Sequence, residues 1–176
     1  MTSIVVVTGP PGAGKSTVAA ALAEAFEPGA LVEGDAFFAF LRRGAIPPWL
    51  PAAHEQNEHV IRAAAAATGR LAEHCTVVYD GVVGAWFLPT FAAAAGVGRL
   101  HYAVLLPPEG VCLERVATRA GHGFTDLDAA RQMHAEFAHA RSVTRHVVEA
   151  AAEDDAQTVA DRVLARVRSG ALAWPD

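Results

Sequence analysis

The chain has 176 residues, a formal net charge of −5, 52% hydrophobic and 19% charged residues. That length suits one sizeable core and that composition a folded globular chain, while the negative balance excludes the basic face that a nucleic-acid or anionic-membrane surface requires. No apolar run approaches the roughly 20 residues of a membrane span, and the first strand begins too early to leave room for a signal peptide, so the expected setting is the cytoplasm. Cys75 and Cys112 are isolated thiols. They read as small buried hydrophobes of a reducing compartment, not as a disulfide framework.

Residues 4–8 (IVVVT) form a β-branched apolar run, the pattern of a buried strand. Residues 17–26 are rich in helix formers, and 30–33 (ALVE) read as a short strand ending at Gly34-Asp35. A helix over 36–43 leads into a proline-rich loop, 44–51, that holds Trp49. A long helix follows over 52–74, with Thr68-Gly69 as a candidate interruption; 75–79 is a strand ending at Asp80-Gly81. The alanine tracts 63–67 and 92–95 read as helix filler. Residues 100–106 are a further strand closed by Pro107-Pro108, then come a helix over 109–119, a flexible stretch over 121–124 and a helix over 126–143. Val147-Val148 is the last short strand and 156–167 the last helix. Strands alternating with helices imply an α/β fold, a parallel sheet covered on both faces. No repeat or linker divides the chain, so residues 1–176 are expected to form a single domain.

Lys15 is the only lysine, every other basic side chain being arginine, and it stands in Gly9-Pro-Pro-Gly-Ala-Gly-Lys-Ser16. This is the G-x-x-x-x-G-K-S phosphate-loop pattern between a strand and a helix, an order that aims backbone N–H groups and a helix N-terminus at an anion. Gly9, Pro10, Pro11, Gly12, Ala13, Gly14, Lys15, Ser16 and Thr17 are therefore the expected nucleotide-binding residues. ATP and Mg2+ are the expected cofactors, with Lys15 at the β- and γ-phosphates and Ser16 at the metal.

Ligands of open α/β sheets bind beyond the carboxyl ends of the strands, which brings Asp35 and Asp80 to the same crevice. Asp35 reads as a helix N-cap, as the carboxylate that orients or deprotonates an acceptor hydroxyl, or as both. Asp80 reads as a metal-holding carboxylate, an Asp-Gly turn, or a substrate contact, because Gly81-Val-Val-Gly84 lets backbone approach a ligand. Arg115 and Arg119 are four apart and share a helix face; on a lid spanning approximately 119–131, with Arg131 starting its return, such guanidinium groups stabilise a phosphoryl group in transfer. Their alternative is a solvated face paired with Glu114. His54 and His59 miss the spacing of a zinc helix. Gln56 and Asn57 beside them suit either substrate hydrogen bonding or a polar helix face. Of the aromatic residues after the strand ends, Trp49 and Trp86 are the expected pocket walls, the others core.

On Gly9 to Ser16, Gly34-Asp35, Tyr79-Asp80-Gly81 and the arginines from Arg115 to Arg131, the chain resembles the small P-loop kinases. No second lysine exists to supply the Asn-Lys-x-Asp element of GTPases. Within that group it is most similar to the chloramphenicol phosphotransferase and zeta-toxin-like proteins, and more distantly to gluconate kinases, which share Gly34-Asp35 and Trp49-Leu50. The resemblance implies five parallel strands in the order 2-3-1-4-5 and Asp35 as catalytic base. It also implies transfer of the γ-phosphoryl group from Mg-ATP to a hydroxyl of a small antibiotic-like or metabolic acceptor. The acidic and arginine residues that gluconate kinases carry before Trp-Leu are replaced here by Ala45-Ile-Pro-Pro48, which favours a neutral or partly aromatic acceptor over a sugar acid. Two other readings stay open. One is a nucleoside or nucleotide kinase whose Arg42 and Arg43 receive a phosphate. The other is a non-catalytic ATP-binding protein that sequesters a drug, as likeness to tunicamycin-resistance proteins suggests.

Overall fold

Strand β1 (Ile4–Thr8) is buried at every position, and its side chains divide between two cores. Ile4 and Val6 belong to one cluster, Val5 and Val7 to the other, as the two-residue period of a strand dictates when both faces of a sheet are covered. The computed structural model describes residues 3–118 and 124–175. Around β1 lie β2 (Gly29–Glu33), β3 (Thr76–Asp80), β4 (Leu100–Leu105) and β5 (Val147–Val148), all parallel, in the order β2-β3-β1-β4-β5. That is the expected order.

A sixth strand, β6 (Ala173–Trp174), was not expected. It pairs antiparallel with the start of β4, Leu100 opposite Trp174 and His101 opposite Ala173, while β5 takes the other end of the same edge at Val104 and Leu105. Two residues are too few to show a period, so no pattern announced it.

The helices are α1 (Lys15–Ala23), α2 (Gly34–Phe38), α3 (His54–Ala72), α4 (Leu88–Ala95), α5 (Glu109–Thr118), α6 (Leu127–His139) and α7 (Ala156–Arg168). Helices α1 and α7 cover the Val5/Val7 face through Val18, Leu22, Val159 and Val163. Helices α3 and α4, with Phe137 of α6, cover the other through Ile61, Ala65, Leu88 and Phe91. Thr68-Gly69 does not interrupt α3. The Thr68 hydroxyl donates to Ala64 O at 2.8 Å, and a Cβ at Gly69 would lie 2.1 Å from Ala95 O, so glycine is what lets the end of α4 approach α3. The alanine tract marks only the second half of α4; the helix starts earlier, at Leu88, with Pro89 in the first turn where its missing N–H costs nothing. Helix α2 is shorter than expected, because the chain turns after Phe38 through the tight bonds Phe40 N to Phe37 O and Leu41 N to Phe38 O.

Arginines of α7 hold the β5 edge. Arg166 donates to the carbonyls of Val147 and Arg145, and Arg162 to that of Glu149. Truncating Arg166 to alanine leaves two carbonyls without that partner and is expected to lower stability by about 1–3 kcal/mol. Urea melts beside the exposed control Arg168→Ala test this, and equal midpoints for the two variants would mean water replaces the guanidinium.

Candidate active site

The phosphate loop is shaped by glycine. Gly9, Gly12 and Gly14 have φ of 145°, 79° and 87°, values that side chains rarely adopt. Space forbids a side chain at two of them as well: a Cβ would lie 2.1 Å from Leu105 O at Gly9 and 2.2 Å from Cys112 O at Gly12. Helix α1 opens directly after Gly14, with no side-chain cap and no acidic residue in its first turn. Its first N–H groups and the positive end of its dipole therefore face the loop's concavity. The Lys15 ammonium folds back over the same loop and donates to Pro10 O at 3.0 Å.

One flank of the loop borders a cavity of about 450 Å³ that extends under Arg115 and Thr118 of α5 to Ala150, Ala151 and the start of α7. The far wall escaped sequence reasoning, since alanine and main chain carry no motif. Its one readable signal is Asp155, which caps α7 by accepting from Thr158 N at 2.7 Å. Asp154 beside it accepts from Ala151 N and from both terminal nitrogens of Arg162, and hydrogen bonding from Arg162 is the main cause holding its carboxyl below the usual range.

Arg115 reaches the loop, its Nη1 donating to Gly12 O at 3.4 Å. Arg131 has other partners: it pairs with Asp128 at 2.8 Å and with Glu109 at 3.7 Å, tying α6 to α5, and it does not line the cavity. Arg119 and residues 121–123 of the expected lid lie outside the described residues.

On the other flank the carboxylates gather. Asp80 ends β3 opposite Val7 and Glu33 and is 8% exposed. Burial pushes its carboxyl above the ordinary value; a hydrogen bond from the Ser16 hydroxyl and the Lys15 charge oppose this, and Asp35 and Glu33 reinforce it. Asp35 is not the N-cap. Glu33 occupies that position, without a side-chain cap bond, and Asp35 sits exposed in the first turn of α2. A hydroxyl and a buried carboxylate beside a phosphate loop are hard oxygen donors of the kind Mg2+ takes, so Ser16 and Asp80 fit that ion.

The raised pKa has a consequence for stability. The folded chain favours protonated Asp80, so its contribution is present below the ordinary value of 3.8 and is lost as pH rises through the higher folded value. At neutral pH the ionised group weighs against the fold. Asp80→Asn is expected to melt higher than wild type at pH 7 without ligand, the gain fading as pH falls toward 3.8, the group's ordinary value. Thermal melts across pH check this; an asparagine variant less stable at pH 7 would mean that Ser16 and Lys15 outweigh burial.

Beyond α2, a second cavity of about 260 Å³ lies between Phe38, Leu41, the 45–49 loop and Gln56. Gln56 shapes it. Its amide donates to Ile46 O and accepts from Ile46 N, both at 2.8 Å, while Asn57 Nδ2 donates to Pro48 O at 2.7 Å. Both side chains, expected at substrate, hold the proline-rich loop. Trp49 lines this cavity and meets Phe124 edge-on at 4.9 Å. Trp86 is 49% exposed, its ring lying by Phe87 and Phe137. The glycines of 81–84 make room inside the protein: a Cβ at Gly84 would meet the Trp86 ring at 2.4 Å, and one at Gly81 the Tyr79 ring at 2.8 Å. That loop is pinned at Val83, whose N–H donates to Thr8 Oγ1 and whose carbonyl accepts from the Tyr102 hydroxyl.

The family described as AAA domain matches residues 4–142. No curated protein sequence matches significantly. Among solved structures, a sugar kinase from a Janibacter species superposes with a TM-score of 0.73 at 22% identity, over 96% of this chain and 95% of that one. The tunicamycin resistance protein of Deinococcus radiodurans follows with 0.70 at 20% identity, over 95% and 96%. A gluconokinase from Sinorhizobium meliloti gives 0.64 at 22%, over 97% and 94%. At these identities the likeness establishes a shared fold.

Proposed function

Because this chain belongs to the AAA domain family, we propose that it is an ATP- and Mg2+-dependent kinase that phosphorylates a hydroxyl of a small molecule. The observation that carries this reading is the gathering of Lys15, Ser16, Asp80 and Asp35 at one glycine loop that borders a cavity of about 450 Å³. The loop of residues 9–17 holds the phosphates through the N–H groups of its non-proline positions and the Lys15 ammonium, and the nucleoside occupies the larger cavity under Arg115. Mg2+, held by Ser16 and Asp80, supplies neutralisation of charge on the phosphate oxygens. Asp35 accepts the proton of the acceptor hydroxyl. Arg115, with Arg119 in a lid near 119–131, stabilises the phosphoryl group as it passes across, and Arg131 serves that lid by exchanging its ion pairs with Asp128 and Glu109 for the phosphoryl oxygens. Residues 1–176 act as one domain, in the cytoplasm.

The acceptor enters from the side of α2. The smaller cavity is walled by Phe38, Leu41, Ile46, two prolines and Trp49, which supports a neutral acceptor with an apolar part, antibiotic-like more than sugar acid. Gln56 and Asn57 serve that acceptor by shaping the loop, and Trp86 borders the entrance. The same apolar walls favour one second reading, sequestration of an apolar drug without turnover, in keeping with the fold shared with a tunicamycin resistance protein.

Mass spectrometry of the protein with Mg-ATP and a panel of hydroxylated acceptors decides between them. Chloramphenicol, aminoglycosides, nucleosides, UDP-sugars, gluconate and tunicamycin form the panel, run beside Asp35→Ala. A phosphorylated acceptor made by wild type alone supports the kinase. Tight binding of an unmodified acceptor that survives Asp35→Ala supports sequestration.

A further inference from the structure

An aromatic ring that the chemistry above does not use packs against the glycines next to both carboxylates. Tyr79 is 2% exposed, lies between Val6 of β1 and Val32 of β2 in register, and meets Phe91 edge-on at 4.8 Å. Its far end fills the space beneath Gly34: a Cβ there would lie 2.2 Å from the Tyr79 hydroxyl, 2.7 Å from Cζ and 3.0 Å from Asp80 O. A Cβ at Gly81 would meet the same end of the ring, 2.8 Å from Cε1 and 3.1 Å from the hydroxyl. Gly34 immediately precedes Asp35, and Gly81 immediately follows Asp80. Both glycines are thus required by the same ring, which occupies the volume their side chains would need. The phenol stays neutral, because burial, then Asp35, then Asp80 push its pKa far above the ordinary value.

We infer that Tyr79 is a positioning residue, a spacer that sets the separation of Asp35 from Asp80. The inference rests on the kinase reading in that Asp35 faces the acceptor and Asp80 the metal. It assigns Gly34 and Gly81 a common purpose, since at both the main chain closes on the phenol end of the ring without a side chain. Rings of fixed size transmit position well, and displacements of an ångström in such sites are felt strongly in turnover.

The test perturbs one contact from both sides. Tyr79→Leu removes the spacer, Gly34→Ala pushes against it, and Tyr79→Phe keeps the ring. Turnover is measured on whichever acceptor is phosphorylated. Calorimetry gives the Mg2+-dependent gain in ADP affinity, which requires no turnover. Tyr79→Leu and Gly34→Ala are each expected to lower kcat by about ten-fold or more and to shrink the Mg2+ gain. ADP affinity without Mg2+ should stay within about two-fold, and Tyr79→Phe should return kcat to within about three-fold of wild type. Should Tyr79→Leu fail to fold, Gly34→Ala carries the test. Variants that only melt earlier, with kcat and Mg2+ gain intact, would overturn the inference and leave Tyr79 as core packing. If wild type phosphorylates nothing, the kinase reading falls while the Mg2+ gain still decides for or against the spacer. A wild type without any Mg2+ gain overturns the spacer together with the metal role of Asp80.

Discussion

Asp35→Ala is expected to lower turnover by about three orders of magnitude while leaving nucleotide binding and the melting temperature nearly unchanged. The separation of effects follows from position. Asp35 is exposed in the first turn of α2, and Glu33, not Asp35, holds the cap position. Its carboxylate is nevertheless near enough to Asp80 and Tyr79 to raise the pKa of both. A group so placed contributes little to the fold and much to the charge pattern at the loop. Removing it also removes one cause of the raised Asp80 pKa, which favours ionised Asp80 and metal retention. Calorimetry with ADP and kcat on the phosphorylated acceptor are the measurements. Unchanged kcat would dismiss Asp35 as the base; lost ADP binding would place it at the nucleotide instead.

Lys15→Met should weaken ATP by about ten-fold or more and lower kcat by a further 10²–10³, because an ammonium at the phosphates acts on ground state and transition state together. The loss should be far smaller for adenosine, which has no phosphates for Lys15 to reach. Lys15→Arg should not restore activity, although arginine supplies the charge everywhere else in this chain. The Lys15 ammonium bends back to Pro10 O as a compact point charge, and the longer, planar guanidinium does not reproduce that shape. Steady-state kinetics and nucleotide titrations of both variants check this. An arginine variant near wild-type rate would mean that charge alone suffices.

The sequence was most legible where local chemistry and global topology coincide. Ile4 to Thr8 is a strand because it is β-branched and buried on both faces, and the glycines after it have no side chains because Leu105 and Cys112 leave no room. Parallel order followed from the resemblance, and Asp35 and Asp80 followed from the rule that strand ends face the ligand. Legibility failed where a side chain's partner is main chain. Gln56 and Asn57 read equally as substrate ligands or polar helix face, and nothing in the pattern announces that Gln56 bonds Ile46 and that Asn57 Nδ2 bonds Pro48 O, while Asn57 Oδ1 is buried without a hydrogen-bond partner among the described residues. Nor does the pattern announce that Gly81 and Gly84 also make way for Tyr79 and Trp86. The start of helix α4 and strand β6 go unannounced, because a proline start and a two-residue strand lie below what propensity and period can resolve. The wall at Ala150 and Ala151 had no motif to read at all.

The shared edge of β4 has a practical consequence for handling the protein. Its second half is covered by β5, but its first half depends on the last few residues of the chain: Tyr102 N–H donates to Leu172 O at 2.8 Å, and Leu172 itself is fully buried. Ending the chain at Gly170 would strip that half and bare a row of unpaired backbone groups beside Leu100. An open strand edge recruits another strand. Light scattering should therefore show such a shortened protein assembling with itself, although every residue near Lys15 is untouched.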